Sequence, residues 1–139
     1  MTHELAERVV AVGIASEADL IHVRQALRAE AGRAGLGLVD QTKLVTAGSE
    51  LARNILTYAT GSRGRMVAEQ VASAGRQGVR ATFSDDGPGI PDVEAALTDG
   101  FSTTGSLGLG LPGSRRLVDE MEISSSGAGT TVVVVKWKR

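Results

Sequence analysis

Apolar positions along the chain recur in two rhythms. Residues 7–15, ERVVAVGIA, read as a strand. Ser16 then caps a helix, with Asp19 three residues on in a capping-box position. Leu20, Val23, Leu27 and Ala31 repeat at helical spacing, so this helix runs to about Arg33, where Gly32, Gly35 and Gly37 break it. A second helix is predicted from about Asp40 to Thr60, with a stripe of Leu44, Gly48, Leu51, Ile55 and Tyr58, ending at Gly61. The rhythm then changes to two. In residues 63–74, Met66, Ala68 and Gln70 alternate with Val67, Glu69 and Val71, and a second strand follows at 77–85 after a loop of a few residues. SDDGPGIPD is a turn signal, and residues 92–98 can form one short helix. GFSTTGSLGLGLPG is too rich in glycine for regular structure. A third substantial helix is expected over about Leu111–Met121, then strands at 122–126 and 130–137 joined across Gly127, Ala128 and Gly129. Val132–Val135 is unbroken, as in a strand covered on both faces.

The order β-α-α-β-β-loop-α-β-β predicts a two-layer α/β sandwich with a mixed sheet, not a doubly wound parallel one. With 139 residues, the expectation is a single domain over 1–139. Composition narrows the chemistry. Lys and Arg number 15 against 16 Asp and Glu, which argues against a nucleic-acid or anionic-membrane surface. The absence of cysteine excludes disulfides, thiolate metal sites and a Cys nucleophile. Two histidines, His3 and His22, are too few for a multi-histidine metal site. No apolar run reaches a membrane span, and MTHELAERVV lacks a signal-peptide core, so a cytoplasmic protein is expected. Glycine, at 18 residues, is nearly twice its usual share of about 7%.

Those glycines concentrate where chemistry is possible. Gly108-Leu109-Gly110-Leu111-Pro112-Gly113 fits G-x-G-x-x-G in letters, but no strand precedes it, and AGTTVV stands where a ribose-binding acid would fall. A dinucleotide fold is therefore rejected, and no G-x-x-x-x-G-K-[ST] is present. Gly105, Gly108 and Gly110 instead lead into a helix N-terminus, where backbone N–H groups and the helix dipole favour phosphate. A plain glycine hinge is the simpler reading. Asp85-Asp86-Gly87-Pro88-Gly89 follows a strand. Its glycines permit close approach to a flat ligand, and a carboxylate there can accept from an exocyclic amine; an ordinary solvent turn has the same letters. Glu50 and Asn54 lie one turn apart at the flank of the second helix's apolar stripe, with Thr46 and Thr57 extending the row. They pair a candidate base with a hard-cation ligand, or form a solvated face.

Taken in order, E-x-x-x-N on a helix, D-x-G-x-G after a strand, G-x-x-G-x-G opening a helix and a Gly-Thr strand resemble the GHKL (Bergerat-fold) ATPases over almost the whole chain. The resemblance implies ATP between helices and sheet, with Asp85 on the adenine amine beside Gly87, Gly89 and Thr130. It implies Asn54 on Mg²⁺, Glu50 as the catalytic base, and Gly105, Gly108, Gly110 and Leu111 around the phosphates. ELARNI, DDGPGIPD, DGFSTTGSLGLGLPGSRRLVDE and TTVVVVKWKR look like the RsbT-type switch serine/threonine kinases of bacterial stress modules. Ser106, where that group usually has glycine, leaves the phosphate loop less permissive, a departure bearing on rate more than on binding. The kinase resemblance implies a STAS-domain antagonist protein as substrate and a PP2C-type phosphatase as second partner, with no nucleic acid and no membrane. Two alternatives stay open: an anti-sigma factor that sequesters a sigma factor, and an ATP-binding interaction module without kinase activity.

Overall fold

The structure, a computed structural model, describes residues 4–58, 63–87 and 110–139, with the side chains of 4–8 and 58 excepted. Five strands and three helices fall in these segments: β1 (Glu4–Ile14), α1 (Asp19–Arg33), α2 (Leu38–Tyr58), β2 (Gly64–Ser73), β3 (Arg76–Asp85), α3 (Gly110–Leu117), β4 (Glu120–Ser126) and β5 (Gly129–Trp137). The short helix expected at 92–98 and the segment FSTTGS lie outside the described residues.

The strands form one sheet in the order β1-β2-β3-β5-β4. Two layers are as expected, but the mixed sheet is not: all four pairings are antiparallel. The reason is the last hairpin. Strands β3 and β4, separated in the chain by α3, run in the same direction, but β5 folds back from β4 and inserts between them. A parallel neighbour pair never forms.

Alternation then sorts the residues. Val12, Ile14, Met66, Ala68, Ala81, Phe83, Val132 and Val134 share the side covered by the helices, where they meet Leu20, Val23, Leu27, Leu44 and Leu51 in one core. Each fully buried aliphatic or aromatic side chain there contributes roughly 1.5–3 kcal/mol. The unbroken Val132–Val135 run is explained by two separate cores. Val135 packs on the opposite side with Val71 and Trp137, and Arg76 lies 4.5 Å from the Trp137 ring centroid.

Three of the differences in element ends from the sequence-based expectation have a visible cause. Helix α1 starts at Asp19, and its N-cap, Ala18, makes no side-chain cap bond. The Asp19 carboxylate itself reaches back, accepting from Ala15 N at 2.8 Å and Ser16 N at 3.1 Å. The bond from Ala15 foremost holds this carboxyl below its ordinary pKa, against its desolvation. Helix α3 stops at Leu117, not Met121, because Asp119 N donates to Val135 O and starts the chain along β5. The β2–β3 loop shrinks to a two-residue turn, with Ala74 at φ 52° and Gly75 at φ 78°. Both central residues are left-handed, as a type I′ hairpin requires, and alanine bears a steric cost there that asparagine largely avoids. Ala74→Asn should therefore raise the unfolding free energy by about 0.5–1 kcal/mol, measured by urea titration at unchanged m-value.

Candidate functional site

The site grows from one end of the sheet. Antiparallel register places Ile14 opposite Gly64, Gly64 opposite Asp85, Asp85 opposite Thr130, and Thr130 opposite Ser125. Since side chains alternate, this row lies on the helix-covered side, continuing the core outward as Phe83 gives way to Asp85 and Val132 to Thr130. The sheet here exchanges apolar for polar groups without leaving the protected face.

Close backbone approach shapes the row. Gly129 has φ +140°, and a Cβ on it would sit 2.0 Å from the carbonyl oxygen of Asp85. No side chain fits, so glycine lets β5 begin directly against the end of β3. Thr130 is 9% exposed, and its hydroxyl lies 2.8 Å from that of Ser125, which fixes the rotor. Asp85 is half-buried, and its Oδ1 accepts from Gly87 N at 2.9 Å, closing the turn after the strand. Gly87 itself is buried. Asp86 does a different task. It is exposed, accepts from Arg63 N at 2.7 Å, and donates its own N–H to Arg63 O at 3.3 Å. The two adjacent aspartates therefore divide: Asp85 belongs to the protected row and Asp86 fastens the start of β2.

Helix α2 crosses above this end. A Cβ on Gly64 would meet Ile55 Cγ2 at 2.4 Å, so the turn carrying Asn54 and Ile55 stands over the Gly64–Asp85 level. Asn54 is half-buried. Glu50, one turn back, is 7% exposed, and Gly110 N at the start of α3 donates to its Oε2 at 3.5 Å. The sequence placed Glu50 at the flank of the helix stripe. The structure excludes the solvated-face reading for it because α3 packs over that flank. Thr46 and Thr57, assigned to the same row, are exposed.

Gly110 begins α3 with φ +66°, Leu111 is buried behind it, and Pro112 follows in the first turn, where its missing donor costs nothing. Gly113 and Ser114, small and buried, let α3 sit close to α2. The Ser114 hydroxyl is buried without a hydrogen-bond partner among the described residues. Of the residues singled out in the sequence, Glu50, Asn54, Asp85, Gly87, Gly110, Leu111 and Thr130 are described and come to one end of the molecule. Gly89, Gly105 and Gly108 lie outside the described residues.

No group of three or more His, Asp or Glu side chains suited to a metal occurs among the described residues. The amide oxygen of half-buried Asn54 fits Mg²⁺, which takes few protein ligands and fills its octahedron with phosphate oxygens and water. One such ligand would not make a site for a bare cation.

Sequence reasoning missed Gly64, Ser125 and the steric need for Gly129. Only the register brings them beside Asp85 and Thr130. It also missed an open groove of about 700 Å³ at the Ile14 end of β1, lined by Val12, Gly13, Ile14, Asp19, His22 and Arg63 among others. That groove contains none of the residues assigned to a ligand. No helix among the described residues is long and apolar enough to cross a membrane.

Residues 14–136 match the family model of the histidine kinase-like ATPase domain. The chain is 47% identical over 129 residues to Serine/threonine-protein kinase RsbT of Bacillus subtilis (strain 168), covering 92% of this chain and 96% of that one. In structure it is similar to the RsbU and RsbW domains of a Mycobacterium tuberculosis protein, with TM-score 0.64 and 22% identity, over 95% of this chain and 33% of the other. It is also similar to the histidine kinase domain of the blue-light activated histidine kinase of Erythrobacter litoralis, with TM-score 0.52 and 23% identity, over 86% of this chain and 63% of the other. The chain thus spans a third of the first solved chain and under two thirds of the second, and both likenesses speak for the fold.

Proposed function

The chain belongs to the histidine kinase-like ATPase family and, within it, to the RsbT-type serine/threonine-protein kinases; from that premise we propose that it transfers the γ-phosphoryl group of Mg-ATP to a serine or threonine of a STAS-domain antagonist protein and, once released, activates a PP2C-type phosphatase in the cytoplasm. The observation that carries this reading is the meeting of the Glu50 carboxylate with the first N–H of α3, at the sheet end that holds Asp85 and Thr130. A base, an anion-favouring helix end and a carboxylate for an amine are assembled from three elements distant in sequence.

Each residue then has one task. Asp85 accepts from the adenine amine, and the Thr130 hydroxyl, steadied by Ser125, lies beside it. Gly110 and Leu111 at the helix end offer backbone donors to phosphate oxygens, the Gly110 N–H exchanging its long contact with Glu50 for one of them. Asn54 would hold Mg²⁺, which supplies charge neutralisation on the phosphates when bound. Glu50 takes the proton of the attacking hydroxyl. A bond forms from that oxygen to the γ-phosphorus, the bond to the β,γ-bridging oxygen breaks, and ADP leaves with the electron pair. The phosphorylated product carries about −1.5 to −2 charge, and repulsion from Glu50, Asp85 and Asp86 favours its release.

Asn54→Ala should weaken nucleotide binding in the presence of Mg²⁺ and leave binding in EDTA unchanged. Isothermal titration under both conditions checks it; the same loss in both would remove Asn54 from the metal. The function itself is tested by incubating the protein with γ-labelled ATP and a STAS-domain partner. Transfer of label to a serine or threonine supports the kinase. Tight binding of a sigma factor with no transfer would favour the sequestering anti-sigma alternative, and nucleotide binding with neither would favour the interaction module.

A further inference from the structure

Far from the nucleotide end, the buried ammonium of Lys136 joins the two helices that form the site. Lys136 is 2% exposed on β5, and its Nζ lies 3.6 Å from Asp40 Oδ1 and 3.6 Å from Asp119 Oδ1. Asp40 sits in the first turn of α2, and Asp119 lies two residues past the end of α3. Arg139 reaches the same two carboxylates from the exposed side, at 3.8 Å from Asp40 Oδ2 and in a short bond to Asp119 Oδ1. Asp119 is held further by Trp137 N, which donates to its Oδ2 at 2.7 Å. Two cations and two carboxylates balance, and backbone groups fix one of the carboxylates.

Helices α2 and α3, packed along each other, are also tied by polar contacts at both ends. At one end Lys136 ties the start of α2 to the exit of α3. At the other, Glu50 meets Gly110 N. Ten residues of helix separate Asp40 from Glu50, a rigid arm of roughly 15 Å. A shift of the ion cluster moves the Glu50 end of that arm relative to the α3 N-terminus, because both helices are stiff and pack directly on each other between the two ties, so a displacement at one end is carried to the other. We propose that Lys136 is a positioning residue for phosphoryl transfer: by pinning Asp40 and Asp119 to one buried ammonium, it sets the spacing of α2 and α3 and so aims Glu50 at the phosphate end of the site. The inference rests on the reading of Glu50 as the base.

The test compares transfer kinetics of four variants, each at a temperature where circular dichroism shows it folded. Lys136→Met should lower kcat about tenfold or more, since sub-ångström to ångström misplacement of a reacting group is felt at that scale. ADP affinity should stay within about threefold, as Asp85 and Thr130 belong to the sheet, not to the helix pair. Asp40→Asn should lower kcat less, and combining it with Lys136→Met should add little, because both act through one tie. Val79→Ala, a core truncation on β3 directly opposite Lys136, should lower stability and keep kcat. Wild-type kcat in Lys136→Met, or an equal loss in Val79→Ala, would overturn the proposal. Should Lys136→Met not fold, Asp40→Asn against Val79→Ala decides the same question. Wild-type kcat in Glu50→Ala would instead remove the base reading itself, so the two failures are distinguishable.

Discussion

Glu50→Ala is expected to lower phosphoryl transfer to the STAS-domain partner by about 10²–10⁴-fold, the usual cost of losing a general base, while the protein still binds that partner. Docking should use exposed surface such as Arg115 and Arg116 on the last turn of α3, which does not include the buried Glu50. The structure adds a requirement. Because Glu50 also accepts from Gly110 N, alanine removes a tie to α3 as well as the proposed base. Glu50→Gln separates the two, since its amide oxygen keeps the acceptor and cannot take a proton at neutral pH. Both variants should be equally impaired in label transfer, with Gln the more stable in urea. A glutamine variant that transfers at the wild-type rate would show that the carboxylate acts only as a helix tie. A folded alanine variant that no longer binds either partner would favour the sequestering reading.

Nucleotide affinity should divide the two adjacent aspartates. Asp85→Asn is expected to weaken ATP and ADP binding by roughly 1.5–3 kcal/mol, the range for a hydrogen bond to a charged group. The oxygen of asparagine can still accept from Gly87 N, so the turn survives while the charge-assisted bond to the adenine amine is lost. Asp86→Asn should bind nucleotide as wild type, because its carboxylate is engaged with Arg63 at the exposed start of β2 and an amide oxygen can accept the same N–H. Titration with ADP measures both. Equal losses would move the adenine contact away from Asp85. Since Gly129 brings Thr130 against Asp85, a bulkier residue at 129 should produce the Asp85 defect without touching either side chain.

What local sequence determined is the list of parts. Helical spacing of Leu20, Val23, Leu27 and Ala31, and alternation around Met66 and Val71, define α1 and β2 because each periodicity follows from backbone geometry alone. Element ends were legible where the signal was local. They slipped where a distant partner decided them, as when Val135 accepts from Asp119 N and ends α3 early. The candidate site residues were legible for the same reason. Glu50 and Asn54 share a helix face by spacing, and a carboxylate followed by glycines marks a strand end.

Tertiary structure alone decided what these residues face. Insertion of β5 between β3 and β4 turned an expected mixed sheet into an antiparallel one and put Thr130 opposite Asp85, forty-five positions earlier in the chain. Packing of α3 on α2 buried Glu50, which helical angle alone left at a flank. The Lys136 cluster gathers Asp40, Asp119 and Arg139 from three separate segments and has no signature in any of them. Periodicity is a property of neighbours along the chain, whereas register and helix–helix closure depend on which distant surfaces bury each other, and one-dimensional patterns do not contain that choice.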